Sequence, residues 1–376
     1  MSSKELKESE INSVIALFSK GNFKEAFEIV TELTESFPDN PILHNIMGAC
    51  YAGLGQLSSA INSYKRAISL NPEYGKAYYN LGGAYHELGD YDNSVKSYQD
   101  SLSINPNYAE AFNNLGNVFS DSGMIEEAIN SFKEALIIKP AFVEASYSLG
   151  VILHDIGSLE DAITLYQDAI KTKPNFSEAH NNLGKAYKEL GKLDIALKSY
   201  QRALKINPNF SEAYNNLGNI YKDIGQLEEA VHSYQKALEI NPDYPALHNN
   251  LGNALFELGR LQDSVNSFEC ALSHNPDYVD SLNNLGIVFS KLGKTDKAIK
   301  SFEKAIAIKP DYADAYNNLG NVLKDISQLD RAVKSYENAI DLKLDFAEAY
   351  NNLCLLYTSD AADDSLRVDL GGRRII

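Results

Sequence analysis

The chain has 376 residues, with 34 Lys and Arg against 51 Asp and Glu, a formal net charge of -17. A field of that sign repels nucleic acid and anionic membrane, whose binding needs a Lys/Arg surplus on one face, and it leaves room for basic or neutral polypeptide partners. Hydrophobic residues at 44% and charged ones at 23% are ordinary globular proportions; there is no apolar run long enough to span a bilayer and no export signal, so a cytoplasmic setting is expected.

Residues 1–6 form a short extension. From residue 7 onward a 34-residue period governs the chain. Leu-Gly pairs recur at Leu81-Gly82, Leu115-Gly116, Leu149-Gly150, Leu183-Gly184, Leu217-Gly218, Leu251-Gly252, Leu285-Gly286 and Leu319-Gly320. A second series, Pro38 to Pro310, keeps the same interval. Two residue types in one register, without an insertion, predict stacked copies of one small unit. A solenoid of this kind has long faces and no central pocket.

The unit Ser211–Tyr244 shows the local logic. Tyr214, Leu217, Gly218 and Tyr221 lie at helical spacing and predict a first helix with one apolar stripe. Gly225 breaks it. Ala230, Tyr234, Ala237 and Leu238 form the stripe of a second helix, which Asn241-Pro242 ends because a residue before proline avoids helical dihedrals. A glycine at Gly218 costs roughly 1 kcal/mol against alanine in mid-helix. The expectation is a close passage of two backbones there, with Tyr234 filling the gap toward the next unit.

At this spacing the aromatic, Leu-Gly, aromatic, Ala, aromatic, Ala and Pro positions resemble the tetratricopeptide repeat (TPR). The resemblance covers residues 7–346 as ten 34-residue repeats, with the first helix of an eleventh reaching residue 353. It implies an all-α fold: a right-handed superhelical solenoid of tandem helix-turn-helix repeats. Departures are Ser13-Val14 in place of the first Leu-Gly, Ser94 and Ser264 in place of alanine, Leu344 in place of the last proline, and the absence of tryptophan.

In such arrays the first helices line a concave face, which the resemblance makes the binding surface. Just before the leucine stand Asn80, Asn114, Asn182, Asn216, Asn250, Asn284 and Asn318. Beside them run Asn113, Asn181, Asn215, Asn249, Asn283 and Asn317, and one turn on come Asn117, Asn219, Asn253 and Asn321. Ser148 interrupts the first row. Asparagine is a poor helix former, so its recurrence asks for a role. An amide donates and accepts, and a regular row could grip the backbone of an extended segment without reading its side chains. Inert copying of recently duplicated units would leave the same rows. At about 1 kcal/mol net per amide, seven give roughly 7 kcal/mol before ordering costs, short of the about 8 kcal/mol of micromolar binding. Removing Asn216 and Asn250 is then expected to weaken binding severalfold and to leave the melting temperature unchanged or raised.

Other chemistry is thin. Cys50, Cys270 and Cys354 are too scattered for disulfides or zinc. Lys76 lacks the partners of a carboxylate clamp. His86 and His154 stand two units apart, too far to share a metal, and His44, His180 and His248 read as packing residues of the core seam. Asn175-Phe176-Ser177 and Asn209-Phe210-Ser211 read as turns between units. No catalytic constellation, metal site or cofactor motif appears.

After Leu353 the register fails. Cys354 stands where glycine is due, and residues 354–376 resemble the translation of a transposase sequencing adapter; the natural reading frame is expected to have continued. The preferred reading is a non-enzymatic scaffold that binds extended polypeptide segments through an asparagine ladder. The alternative is the targeting arm of a truncated enzyme. The AYNNLGN-type units resemble the repeat arm of O-linked N-acetylglucosamine transferases; repeat-bearing sulfotransferases are a further candidate. The oligomeric state is left open.

Overall fold

The period is read out as alternating helices because each turn is written chemically. The computed structural model describes residues 6–356. The chain falls into two units. Met1–Gly191 holds α1 (Glu8–Ser19), α2 (Phe23–Ser36), α3 (Pro41–Gly53), α4 (Leu57–Leu70), α5 (Gly75–Glu87), α6 (Tyr91–Ile104), α7 (Ala109–Asp121), α8 (Ile125–Ile138), α9 (Val143–Asp155), α10 (Leu159–Thr172) and α11 (Ser177–Glu189). Lys192–Ile376 holds α12 (Leu193–Ile206), α13 (Ser211–Asp223), α14 (Leu227–Ile240), α15 (Pro245–Glu257), α16 (Leu261–His274), α17 (Val279–Lys291), α18 (Thr295–Ile308), α19 (Ala313–Asp325) and α20 (Leu329–Leu342), followed by helical residues 347–356. Among the described residues every regular element is a helix, as the period predicts.

The turn after α13 shows how each first helix stops. Gly225 sits at φ +78°, its N–H donates to the Lys222 carbonyl, and the Gln226 N–H reaches back to the Tyr221 carbonyl. This left-handed closure is cheap only for glycine. Ser327 takes the same place after α19 at φ +59° and is the only described non-glycine residue with positive φ.

The core explains the mid-helix glycine differently from the sequence expectation. A Cβ on Gly218 would lie 2.6 Å from the Tyr234 ring, and Gly252 and Gly286 face Phe268 and Phe302 in the same way. The glycine therefore makes a seat for the aromatic ring of its own hairpin. It does not mark a close passage of two backbones, and Tyr234 does not reach outward to fill a gap. Tyr98, Phe132, Tyr166, Tyr234, Phe268, Phe302 and Tyr336 are all buried in such a seat. Ser94 and Ser264, the departures from alanine, also belong to it. Their hydroxyls donate to the carbonyls of Gly82 (2.8 Å) and Gly252 (2.7 Å), so each small polar side chain is satisfied across the hairpin.

Within each unit the helices pack in chain order. Successive first helices also touch one another, as in α3–α5–α7–α9 and α13–α15–α17–α19, whereas no two second helices do among the described elements. The first helices therefore line the inner side of each stack. Cys354 and Leu355 continue the last helix to Leu356, which is buried beside Leu323 and Tyr336. The rest of the adapter-like string, 357–376, and residues 1–5 of the extension lie outside the described residues.

Candidate protein-binding face

The asparagine rows meet across hairpin boundaries. Within each unit an amide before the leucine donates its Nδ2 to the residue 35 positions earlier, on the preceding first helix. Asn80 donates to Asn45 Oδ1 (2.9 Å), Asn250 to Asn215 Oδ1 (3.0 Å), Asn284 to Asn249 Oδ1 (3.2 Å), and Asn318 to Asn283 Oδ1 (2.9 Å). Asn352, in the last helix, continues the series to Asn317 Oδ1 (3.0 Å). Where the acceptor position is tyrosine the rung persists: Asn114 reaches Tyr79 Oη (2.9 Å) and Asn182 reaches Tyr147 Oη (3.0 Å). Burial raises the Tyr79 pKa, and the Asn114 hydrogen bond partly offsets it.

These rungs tie hairpin to hairpin, a role the sequence reading left out. Asn45, Tyr79, Tyr147 and Asn352 were legible as members only through their place in the period. The second row is the more buried: Asn113, Asn181, Asn249, Asn283 and Asn317 are buried and Asn215 is half-buried, whereas the whole first row is half-buried. Leaving a buried acceptor unpaired costs about 1–3 kcal/mol. Removing Asn318 therefore strips the buried Asn283 of its donor and should lower the melting temperature. Removing Asn250 strips the half-buried Asn215, so a smaller fall is expected there, where the sequence expectation was no change or a rise.

One hairpin breaks the pattern. Ser148 replaces asparagine in α9 and is too short to make the rung, and Asn113 Oδ1, 35 positions earlier, is buried without a partner. Val151 replaces the third-row asparagine of the same helix. At the matching places Tyr234 Oη donates to Asn219 Oδ1 (2.7 Å) and Tyr336 Oη to Asn321 Oδ1 (2.8 Å). Tyr166, whose counterpart would be residue 151, is left with its hydroxyl buried and unpaired.

Several groups along the inner side keep unused hydrogen-bonding capacity. The Oδ1 atoms of Asn80, Asn250, Asn284 and Asn318 accept no protein hydrogen bond, and the Nδ2 groups of Asn219, Asn253 and Asn321 donate none. Asn117 makes no side-chain hydrogen bond and faces a cleft of about 490 Å³ that also takes in His86, Tyr147 and Ser148. Asn216 lies half-buried among these rows. Carboxylates line the ends of the first helices: Glu87, Asp121, Asp155 and Glu189 in the first unit, and Asp223, Glu257 and Asp325 in the second, all exposed.

The histidines are engaged without metal. His86 Nε2 lies 2.7 Å from Asp121 Oδ2, and His154 Nε2 lies 3.0 Å from Glu189 Oε1, each pairing with the next hairpin. His44, His180 and His248 are half-buried at the hairpin junctions, outside the core seam, with Nε2 on the carbonyls of Pro38, Pro174 and Pro242. Among the described residues no group of three or more His, Cys, Asp or Glu side chains could hold a metal ion. No described helix is long and apolar enough to cross a membrane. Cys50 is buried, which pushes its thiol up to about 11, while Cys270 and Cys354 are exposed.

Comparison with known proteins agrees with this anatomy. Segments 48–89, 82–123 and 116–157 match the TPR repeat model, and residues 142–352, more than half of the chain, match the family described as Cilia and flagella-associated protein 70 C-terminal domain. The chain belongs to that family. Its tetratricopeptide architecture is a scaffold suited to protein interaction. No curated protein matches. Among solved structures, MamA is 31% identical over 44% of this chain and 97% of its own, with a TM-score of 0.41. YrrB, described as a TPR protein with an unusual peptide-binding site, is 23% identical over 50% and 96%, with a TM-score of 0.43. The APC/C hetero-tetramer Cut9-Hcn1 is 13% identical over 92% and 83%, with a TM-score of 0.52, a likeness of fold alone.

Proposed function

We propose that the inner side of each stack binds extended polypeptide segments, with the asparagine rows gripping the client's backbone. The observation that carries this is the division of labour in the amides. After the hairpin-to-hairpin rungs are made, the first row still offers acceptors at Asn80, Asn250, Asn284 and Asn318, and the third row offers donors at Asn219, Asn253 and Asn321. A peptide group needs one of each. The exposed carboxylates beside them favour clients that are basic or neutral. With each bond contributing about 1 kcal/mol net, recognition is broad, and the side chains around the rows supply selectivity.

Asn117 gives the cleanest test, because its side chain ties no hairpins together. Fluorescence anisotropy of overlapping unstructured peptides should show Asn117→Ala weakening the bound ones about threefold to fivefold whatever their sequence, as one lost hydrogen bond requires. The thermal melt should stay in place. Affinities equal to those of the unaltered protein across all binding peptides would end the backbone-grip reading.

A further inference from the structure

The array is its own control, since each position can be compared with its copies 34 residues away. By that comparison the outer side of the first unit is abnormal at one place. Ile137, in α8, is 71% exposed, while its copies are Glu35, Ser69, Ser103, Lys171, Lys205, Glu239, Ser273, Ala307 and Asp341. Leu165, in α10, stands where every other hairpin between residues 41 and 346 has serine. Those serines are self-sufficient, each donating to a carbonyl four residues back, as Ser131 does to Glu127 and Ser199 to Ile195. Leu153, in α9, is a leucine where most copies are tyrosine or phenylalanine.

The three departures converge. With Leu136 and Leu149 they line a groove of about 640 Å³ between α8 and α10, floored by α9. Leu165 borders the seat of Gly150, its Cβ 3.4 Å from where a Cβ on that glycine would lie. Ile137 answers no such packing need. An isolated exposed apolar residue is unremarkable, but one that extends an apolar groove marks an interaction surface.

We propose that this groove is a docking site for a basic amphipathic helix of a partner protein. The lining decides the conformation. Thr164 is the only neutral polar side chain along it, and an extended segment laid there would leave its backbone groups unpaired. A helix satisfies its own backbone and needs only an apolar stripe, presented at i, i+3, i+4 and i+7. Charge decides the sign. The exposed charges of the two helices are Glu126, Glu127 and Glu134 on α8 and Glu160, Asp161 and Asp168 on α10, against Lys133 and Lys171, with Lys133 and Asp161 in the lining itself. The same acidity argues against a second copy of this chain, which carries -17 overall and would bring its own acidic walls. The site is on the side opposite the asparagine rows, so it stands apart from the backbone-grip reading.

The probe is a labelled synthetic helix of roughly 18 residues, about five turns, with leucines on one face and lysines on the other. Anisotropy is measured at fixed ionic strength. Ile137→Ser restores the commonest residue of the other hairpins, leaves the charge unchanged and should weaken binding about tenfold, the loss expected for burying one large aliphatic side chain. Asp161→Lys should weaken it further, and the same helix with glutamate for lysine should not bind. Asn117→Ala should leave this binding untouched. Equal affinity for Ile137→Ser and the unaltered protein, or equal binding of the acidic helix, overturns the proposal. So does a concentration-dependent dimer that Ile137→Ser abolishes, since the groove's occupant would then be a second copy.

Discussion

Hairpin α9–α10 and the run α15–α19 share a period and a core but differ in their polar interior. In the run, Asn249, Asn253, Asn283 and Asn284 join successive first helices, and Ser281 Oγ adds a bond to Asn249 Oδ1 at 3.0 Å. In α9 the same places hold Tyr147, Ser148 and Val151, and two buried polar atoms nearby lose their partners. Both regions nevertheless seat an aromatic ring on a glycine: Tyr166 on Gly150, Phe302 on Gly286. The difference teaches that ring and glycine build the hairpin, while the amides tune how firmly one hairpin is tied to the next.

The largest test is one in which the two regions should agree. Gly150→Ala and Gly286→Ala place a Cβ 2.8 Å and 2.6 Å from a buried ring and should each cost about 2 kcal/mol in urea denaturation. A much smaller loss at Gly150 would mean that the core differs as well. Gly83→Ala is the control. Its Cβ would find its nearest neighbour, Tyr98 Oη, at 3.5 Å, so helix propensity should dominate and stability should rise by up to about 1 kcal/mol.

The amides should then separate the regions. Asn249→Ala removes the acceptor of both Ser281 and Asn284 and should cost about 1–3 kcal/mol, whereas Ser148→Ala breaks no rung and should be near neutral. Ser148→Asn with Val151→Asn should raise stability by about 1 kcal/mol by giving Asn113 and Tyr166 the partners their counterparts have. A fall instead would show that the interrupted hairpin is packed around its own side chains. The smallest effect is at Ser327, whose left-handed backbone suits glycine. Ser327→Gly should gain about 0.5–1 kcal/mol in the thermal melt.

Much of the fold could be read directly. The turn glycines and the Asn-Pro stops placed the helix ends because a positive φ and a residue before proline are constraints carried by single residues. Gly218 was harder, since its neighbour Tyr234 is on the other helix and the sequence shows only that room is needed. The asparagine rows were visible as a pattern, but not their pairing: an interval of 35 residues between partners reflects the offset of stacked first helices, which no single unit contains. The junction histidines were misplaced for a related reason. Their partners are carbonyls six residues back, made available by the way the inter-unit turn folds over.

The order of residues by itself determined the repeat, its helical hairpins and their all-α stacking, because periodicity, glycine and proline act locally and identically in every copy. Only the tertiary structure decided which amide bonds which, which polar atoms are stranded at α9, and which departures from the repeat, Ile137, Leu153 and Leu165, share one groove. Those are relations between helices, and they exist only once neighbouring hairpins are laid side by side.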